Sequence, residues 1–148
     1  MHEELRIATV KDRDWLYSLY RRTMRPYVEP VWGWDEVIQS KGFDGQLGAE
    51  NFKIFSIDGI DVGGYCLKPK ADSYWLDMLL VEPTHQSSGI GKRIMAHIQS
   101  RAESEALPIR LCSIKTNPAT NFYKHLGYTE YKQDATLIYL EKKQTHPE

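Results

Sequence analysis

Leu76-Asp77-Met78-Leu79-Leu80-Val81, then Glu82-Pro83, then Gln86-Ser87-Ser88-Gly89-Ile90-Gly91: the order within Tyr74 to Gln99 decides the fold. The first run is apolar and strand-like. Beyond the glycines, Ile90, Ile94, Met95, Ile98 and Ala102 recur at spacings that place them on one helical face. The stretch therefore reads strand, glycine loop, helix. The first turn of a helix leaves N–H groups without intrahelical partners, at the positive end of the helix dipole. Glycines let a ligand approach that backbone closely. Such a turn is a candidate anion pocket, and phosphate is its natural occupant.

Two familiar phosphate loops do not fit. A P-loop requires glycine where Gln86 stands, and a hydroxyl after the lysine, where Arg93 stands. A dinucleotide fingerprint requires a third glycine at the position of Ile94. What the residues spell is Gln-x-x-Gly-x-Gly behind a strand ending in Val-x-Pro.

On the N-terminal side, Asn51 to Ile57 and Val62 to Leu67 alternate as strands around an Asp58-Gly59 hairpin signal. Gly63-Gly64 marks a bulge or close packing. Lys68 to Asp72 is a second turn, so an antiparallel meander delivers the chain to the glycine loop. Earlier still, Leu5 to Ala8 reads as a first strand, and Thr9 with Asp12 as a helix start. Trp15, Leu16, Leu19 and Tyr20 supply the apolar face of that helix. Pro26 is expected to end it near Arg25, because proline disfavours the helical region in the preceding residue. Asp35 to Ile38 begins a brief second helix, and Lys41 to Glu50 reads as loop.

On the C-terminal side, Ile109 to Ile114 is a strand. Asn117-Pro118 opens a helix faced by Ala119, Phe122, Tyr123 and Leu126, with Gly127 as its stop. Tyr128 to Gln133 and Ala135 to Leu140 form a last strand pair. Residues 1–141 are expected to make one domain, with 142–148 a frayed tail. The fold class is α/β: a mixed, mostly antiparallel sheet flanked by helices, in the order β-α-α-β-β-β-α-β-α-β-β.

A chain of 148 residues buries an adequate core without disulfides or metal. Its net charge of -1 offers no broad positive field for nucleic acid. No apolar run approaches a membrane span, and the acidic Met1-His2-Glu3-Glu4 start lacks a signal segment, so cytoplasmic residence is expected. Cys66 and Cys112 fall in apolar runs and read as buried free thiols. The five histidines show no metal-ligand spacing, so no metal is expected.

The glycine loop resembles the acyl-CoA pyrophosphate loop of the GCN5-related N-acetyltransferase (GNAT) superfamily, Arg/Gln-x-x-Gly-x-Gly/Ala. Asn117 to Tyr128 is similar to that family's Asn-x-x-Ala-x-x-x-Tyr-x-x-x-Gly-Phe segment, although alanine follows asparagine by two residues instead of three. The element order matches over nearly the whole chain. The resemblance implies a GNAT-like sheet and an enzyme that transfers acetyl from acetyl-CoA to a primary amine, on a small molecule or a peptide, by direct attack in a ternary complex. A non-catalytic acyl-CoA-binding sensor or partner module of the same fold is the alternative, and a nucleotide phosphate in the same pocket a further one.

The resemblance places the diphosphate on the loop Gln86, Ser87, Ser88, Gly89, Ile90 and Gly91; Lys92, Arg93 and Lys124 lie close enough in sequence to add charge, and a solvated surface role is the other reading for each. It places the pantetheine arm along Leu79, Leu80 and Val81, where the Leu79 N–H polarises the thioester carbonyl. Asn117 and Phe122 complete the cofactor set. Tyr123 is the candidate proton donor to the departing thiolate, since a phenol and a thiol have comparable acidities; packing of its ring in the core is the other reading. For the base, the family often uses a glutamate on the central strand, but this chain carries Trp75 there. A strand period of two puts Trp75, Asp77, Leu79 and Val81 on one face, and Asp77 is its only carboxylate. Asp77 then acts directly or through water, or pairs only structurally. The family varies the segment after the first helix to read acceptors, here Tyr27, Glu29, Trp32, Trp34, Asp35 and Glu36, whose aromatic faces and negative charge suit a cation. One tryptophan is expected to brace and the other to touch substrate. Edge strands leave a homodimer open.

Overall fold

A computed structural model describes residues 2–144. Its elements follow the expected order: β1 (Glu3–Ile7), α1 (Arg13–Trp32), α2 (Glu36–Gly42), β2 (Phe52–Ile57), β3 (Ile60–Pro69), β4 (Tyr74–Val81), α3 (Ile90–Glu105), β5 (Ile109–Ile114), α4 (Ala119–His125), β6 (Thr129–Gln133) and β7 (Leu137–Lys142). The seven strands form one sheet in the order β1-β2-β3-β4-β5-β7-β6. Every pairing is antiparallel except that of β4 with β5.

Two apolar layers bury the two faces of the sheet. On one, α3 contributes Ile90, Ile94, Met95, Ile98 and Ala102, the residues its periodicity selects, and packs them with Tyr74, Leu76, Leu111, Tyr123 and Leu140. On the other, Leu16, Tyr17 and Leu19 of α1 pack with Phe43, Phe52, Ile54, Cys66 and Leu80. Asp58 and Gly59 both take positive φ, the geometry a two-residue hairpin turn needs. Gly63 and Gly64 are places of close approach. A Cβ on Gly63 would lie 2.5 Å from the Leu80 carbonyl oxygen, and one on Gly64 2.9 Å from that of Lys53.

Four expectations need correcting. The first helix does not end before Pro26; it runs to Trp32 with Pro26 and Pro30 inside, and Gly33 stops it at φ 75°. Each proline removes one N–H, but the four-residue spacing puts both on one row of the helix. That row borders a surface groove of about 600 Å³, lined also by Arg21, Arg22, Arg25 and Glu29 and open to solvent. Second, part of the expected loop from Lys41 is helical: α2 reaches Gly42 and leads into a π-type turn over Phe43–Leu47. Third, Cys66 is buried but Cys112 is exposed; both are free. Fourth, Lys142 is not tail. It closes β7 and donates to the Leu126 carbonyl at 2.8 Å. Residues 145–148 of the expected tail lie outside the described residues.

Candidate active site

The site begins with a pairing that stops. β4 and β5 are in register only at Tyr74 with Ile109 and Trp75 with Arg110. Beyond those two pairs the strands diverge. Alternate backbone groups of a strand face alternate neighbours, so the later half of β4 turns unpaired amides and carbonyls into the gap. The gap widens into a cleft of about 510 Å³ lined by Leu79 and Val81 of β4, Gln86, Ser87, Gly89, Gly91 and Lys92 of the loop and α3, and Asn117, Pro118, Ala119, Phe122 and Tyr123 around α4.

At the loop, Gly89 adopts the left-handed conformation at φ 84° and α3 has no side-chain cap. The Arg93 amide bonds back to the Gly89 carbonyl, whereas those from Ser87 to Lys92 find no backbone partner among the described residues. Free amides at the positive end of a helix form an anion cradle. Gly91 keeps it open: a Cβ there would sit 3.4 Å from the Phe122 ring and 3.9 Å from Val81. Gln86 holds the loop to β4 through Nε2 and the Val81 carbonyl, 3.1 Å away. Asn117 shapes the far wall, its side-chain oxygen accepting from the Ala119 amide at 2.9 Å.

Tyr123 lies in the cleft wall with only 8% of its surface exposed. Its ring meets Phe122 and Tyr128 edge-on, at 5.2 and 5.7 Å between centroids. Burial pushes its phenol pKa well above the ordinary value of 10.0, so it stays protonated near neutrality and can only donate until a strong base arrives.

Of the other expected cofactor residues, four stand outside the lining. Leu80 is buried in the α1 layer. The Ile90 side chain is core, although its amide belongs to the free first turn. Ser88 turns its hydroxyl to the His85 carbonyl. Lys124 points toward Glu130, 3.9 Å away. Sequence reasoning missed Thr23 and Met24 of α1, which line the cleft beside Tyr27. With the helix expected to end at Arg25, the i, i+1, i+4 set Thr23-Met24-Tyr27 could not be recognised as one face. The Thr116 hydroxyl donates to the Tyr27 carbonyl at 2.8 Å and ties α1 across the cleft.

The shared face expected for Trp75, Asp77, Leu79 and Val81 is not formed. Leu67 opposes Leu76 and Cys66 opposes Met78, so Asp77 is the extra residue of a β-bulge. The bulge reverses the alternation. Tyr74, Leu76, Leu79 and Val81 pack toward α3, while Met78 and Leu80 pack toward α1. Asp77 accordingly lines a second depression, of about 420 Å³, apart from the cleft holding Tyr123. Its carboxylate pairs with Lys68 Nζ at 3.1 Å.

The expected acceptor set disperses. Tyr27 turns into the cleft. Glu29 takes a hydrogen bond from Arg25 at 2.5 Å. Trp34 braces: its ring lies 5.7 Å from that of Tyr20, under the Arg25 guanidinium, and its indole donates to Glu36. Trp32 is 54% exposed. The negative charge there is already met by arginines. Among the described residues no group of three or more His, Cys, Asp or Glu could hold a metal, and no helix is long and apolar enough to cross a membrane.

The geometry agrees with what comparison finds. The family model described as an acetyltransferase (GNAT) domain matches residues 49–130, more than half of the chain. No curated protein sequence matches significantly. Among solved structures, the PaiA N-acetyltransferase from Thermoplasma acidophilum, in complex with coenzyme A, superposes with a TM-score of 0.79 at 19% identity, over 97% of this chain and 99% of that one. The ribosomal-protein-S18-alanine N-acetyltransferase from Escherichia coli gives 0.75 at 16% identity, over 99% and 97%. N-acetylglutamate synthase from Neisseria gonorrhoeae, complexed with coenzyme A and N-acetyl-glutamate, gives 0.70 at 19% identity, over 99% of this chain and 36% of that longer one. At such identities the structures speak for the fold and the family match for descent: this chain belongs to the GNAT acetyltransferase family.

Proposed function

We propose that the protein transfers acetyl from acetyl-CoA to a primary amine by direct attack in a ternary complex. The observation that carries this reading is the conjunction of uncapped amides at the head of α3 with a strand gap leading from them to Tyr123. Acetyl-CoA supplies the activated acetyl group as a thioester. The amides of Ser87 to Lys92 receive its diphosphate, and Gly91 allows the close approach. The unpaired edge of β4 at Leu79 and Val81 holds the pantetheine amides as a neighbouring strand would. The Leu79 N–H faces the carbonyl oxygen and stabilises the negative charge that develops there.

As the amine nitrogen bonds to the acetyl carbon, the carbon–sulfur bond breaks and Tyr123 gives its phenolic proton to the sulfur. The amine loses its proton to water of the cleft, whose lining holds no carboxylate, and Asp77, across β4 in a separate depression and paired with Lys68, takes it only through that water. Thr23, Met24 and Tyr27 roof the gap and exclude solvent from the thioester.

Tyr123→Phe tests the assignment. Removal of a general acid should lower turnover by roughly 10²- to 10⁴-fold, with acetyl-CoA affinity by calorimetry nearly unchanged. Turnover within threefold of the parent protein would remove Tyr123 from the reaction.

A further inference from the structure

The donor cleft runs through the sheet, and its two ends differ in chemistry. On the α3 side it begins at the amides from Ser87 to Lys92. It passes Leu79 and Tyr123 where β4 leaves β5. Beyond the gap it meets Thr23, Met24 and Tyr27 of α1, the helix packed on the opposite face of the sheet. A donor with its diphosphate on the amides and its thioester carbonyl at Leu79 therefore points its acyl group at α1.

That end is closed by a helix held on both sides of the gap. From one side, the Thr116 hydroxyl donates to the Tyr27 carbonyl. From the other, Glu82, the residue after β4, takes hydrogen bonds from both terminal nitrogens of Arg22. Leu19 and Val28 are buried on the inner face of the same helix. A wall pinned in this way does not retreat before a longer chain, so the room beyond the thioester is set by the side chains it presents. Thr23 is short, and its hydroxyl turns back to the Leu19 and Tyr20 carbonyls, 2.8 and 3.2 Å away. Met24 is the long, unbranched one, half-buried against the α1 layer. Its thioether occupies space that extra methylenes would need.

The α1 end is also uncharged. Lys92, at the diphosphate end, is the one charged side chain in the cleft lining. Arg22 and Arg25 of α1 line the outer groove instead, and are paired with Glu82 and Glu29. A carboxylate at the tip of an acyl chain would lose its hydration there without meeting a cation.

We infer that α1 measures the acyl group: the protein takes short neutral chains, acetyl and propionyl, and Met24 sets the limit. The inference rests on the donor placement proposed above and carries it to the choice of acyl group.

The test has a binding arm and a transfer arm. For binding, S-ethyl-CoA and S-butyl-CoA, thioethers that do not react, stand in for acetyl and butyryl donors in titration calorimetry. The parent protein should bind the ethyl ligand at least roughly tenfold more tightly than the butyl one, and Met24→Ala should remove most of that gap. For transfer, release of CoA thiol is followed with a panel of amines. Butyryl-CoA should fall at least roughly tenfold below acetyl-CoA in kcat/KM, and Met24→Ala should raise the butyryl-to-acetyl ratio by about as much. Succinyl-CoA, equal in chain length but anionic, should stay poor in both proteins. Met24→Phe should lower the propionyl-to-acetyl ratio, which keeps the test decisive if the alanine variant does not fold. Equal use of acetyl- and butyryl-CoA by the parent overturns the inference and leaves acetyl transfer intact. So do ratios that move in neither variant, or a succinyl rate that rises with the butyryl rate. Length discrimination in calorimetry without transfer to any amine supports the inference and overturns the transfer reading.

Discussion

Gly91→Glu asks whether the head of α3 holds a diphosphate. Gly91 has ordinary helical backbone, and the Cβ added there meets only the tip of the Phe122 ring at 3.4 Å and a Val81 methyl at 3.9 Å. Both contacts are side-chain atoms that can give slightly. Replacing a helical glycine also gains about 0.5–1 kcal/mol in backbone entropy. The variant should therefore fold with a melting temperature close to the parent's. Its carboxylate, however, stands among the amides that face the ligand. Two unit charges at about 4 Å interact by ~1 kcal/mol in water and ~4 kcal/mol at the effective dielectric of a protein surface, so Kd for CoA should rise by roughly ten- to a thousandfold. Titration calorimetry with CoA measures this, and Gly91→Gln, equal in size and neutral, separates bulk from charge. The Glu variant should bind far more weakly than the Gln variant, and the difference should shrink in high salt. Equal affinities in the two variants, or a Glu variant that binds like the parent, would refute the anion cradle.

Gly63→Ala should destabilise the fold by about 1–3 kcal/mol or more, read by denaturant titration, because its methyl would lie 2.5 Å from the Leu80 carbonyl oxygen; a neutral effect would mean that β3 and β4 can separate freely. Asp12→Ala should cost about 1 kcal/mol at pH 7, since Asp12 closes the capping box at Thr9 and pairs with Arg6. The Arg6 guanidinium holds the Asp12 carboxyl below its ordinary 3.8, so its contribution is present above that pH and fades as acid carries the solution through the lowered folded value. Parent and variant should converge in acid, and a gap that persists there would assign the effect to packing. Tyr128 buries its hydroxyl with no hydrogen-bond partner among the described residues. Tyr128→Phe should therefore match or exceed the parent in stability, by up to about 1–3 kcal/mol, and a loss would show the hydroxyl bonded to a trapped water.

Most of the frame could be read from residue patterns because the signals there are local. The face of α3, the Asp58-Gly59 turn and the uncapped loop before Ile90 each depend on neighbours within a few positions, and each stands as read. Pro26 misled because a proline's effect depends on what lies beside the carbonyl it orphans, here an open groove. Asp77 misled for a related reason. A bulge is one unpaired residue on one strand relative to another, and no property of Leu76-Asp77-Met78 alone announces it. In the acceptor segment, Glu29 reads as a lone carboxylate until α1, extended past Pro26, places Arg25 one turn before it. Cys112 sits on β5 where alternation gives one outward position among inward ones, a parity that its apolar neighbours conceal.

The extra residue in β4 means that side-chain direction along this strand is decided in two independent halves. Substituting Asp77 changes only what stands at the step. Excising it would force one half to rotate, carrying either Tyr74 and Leu76 or Leu79 and Val81 to the wrong side, so a shortened strand could keep its core or its cleft, but not both.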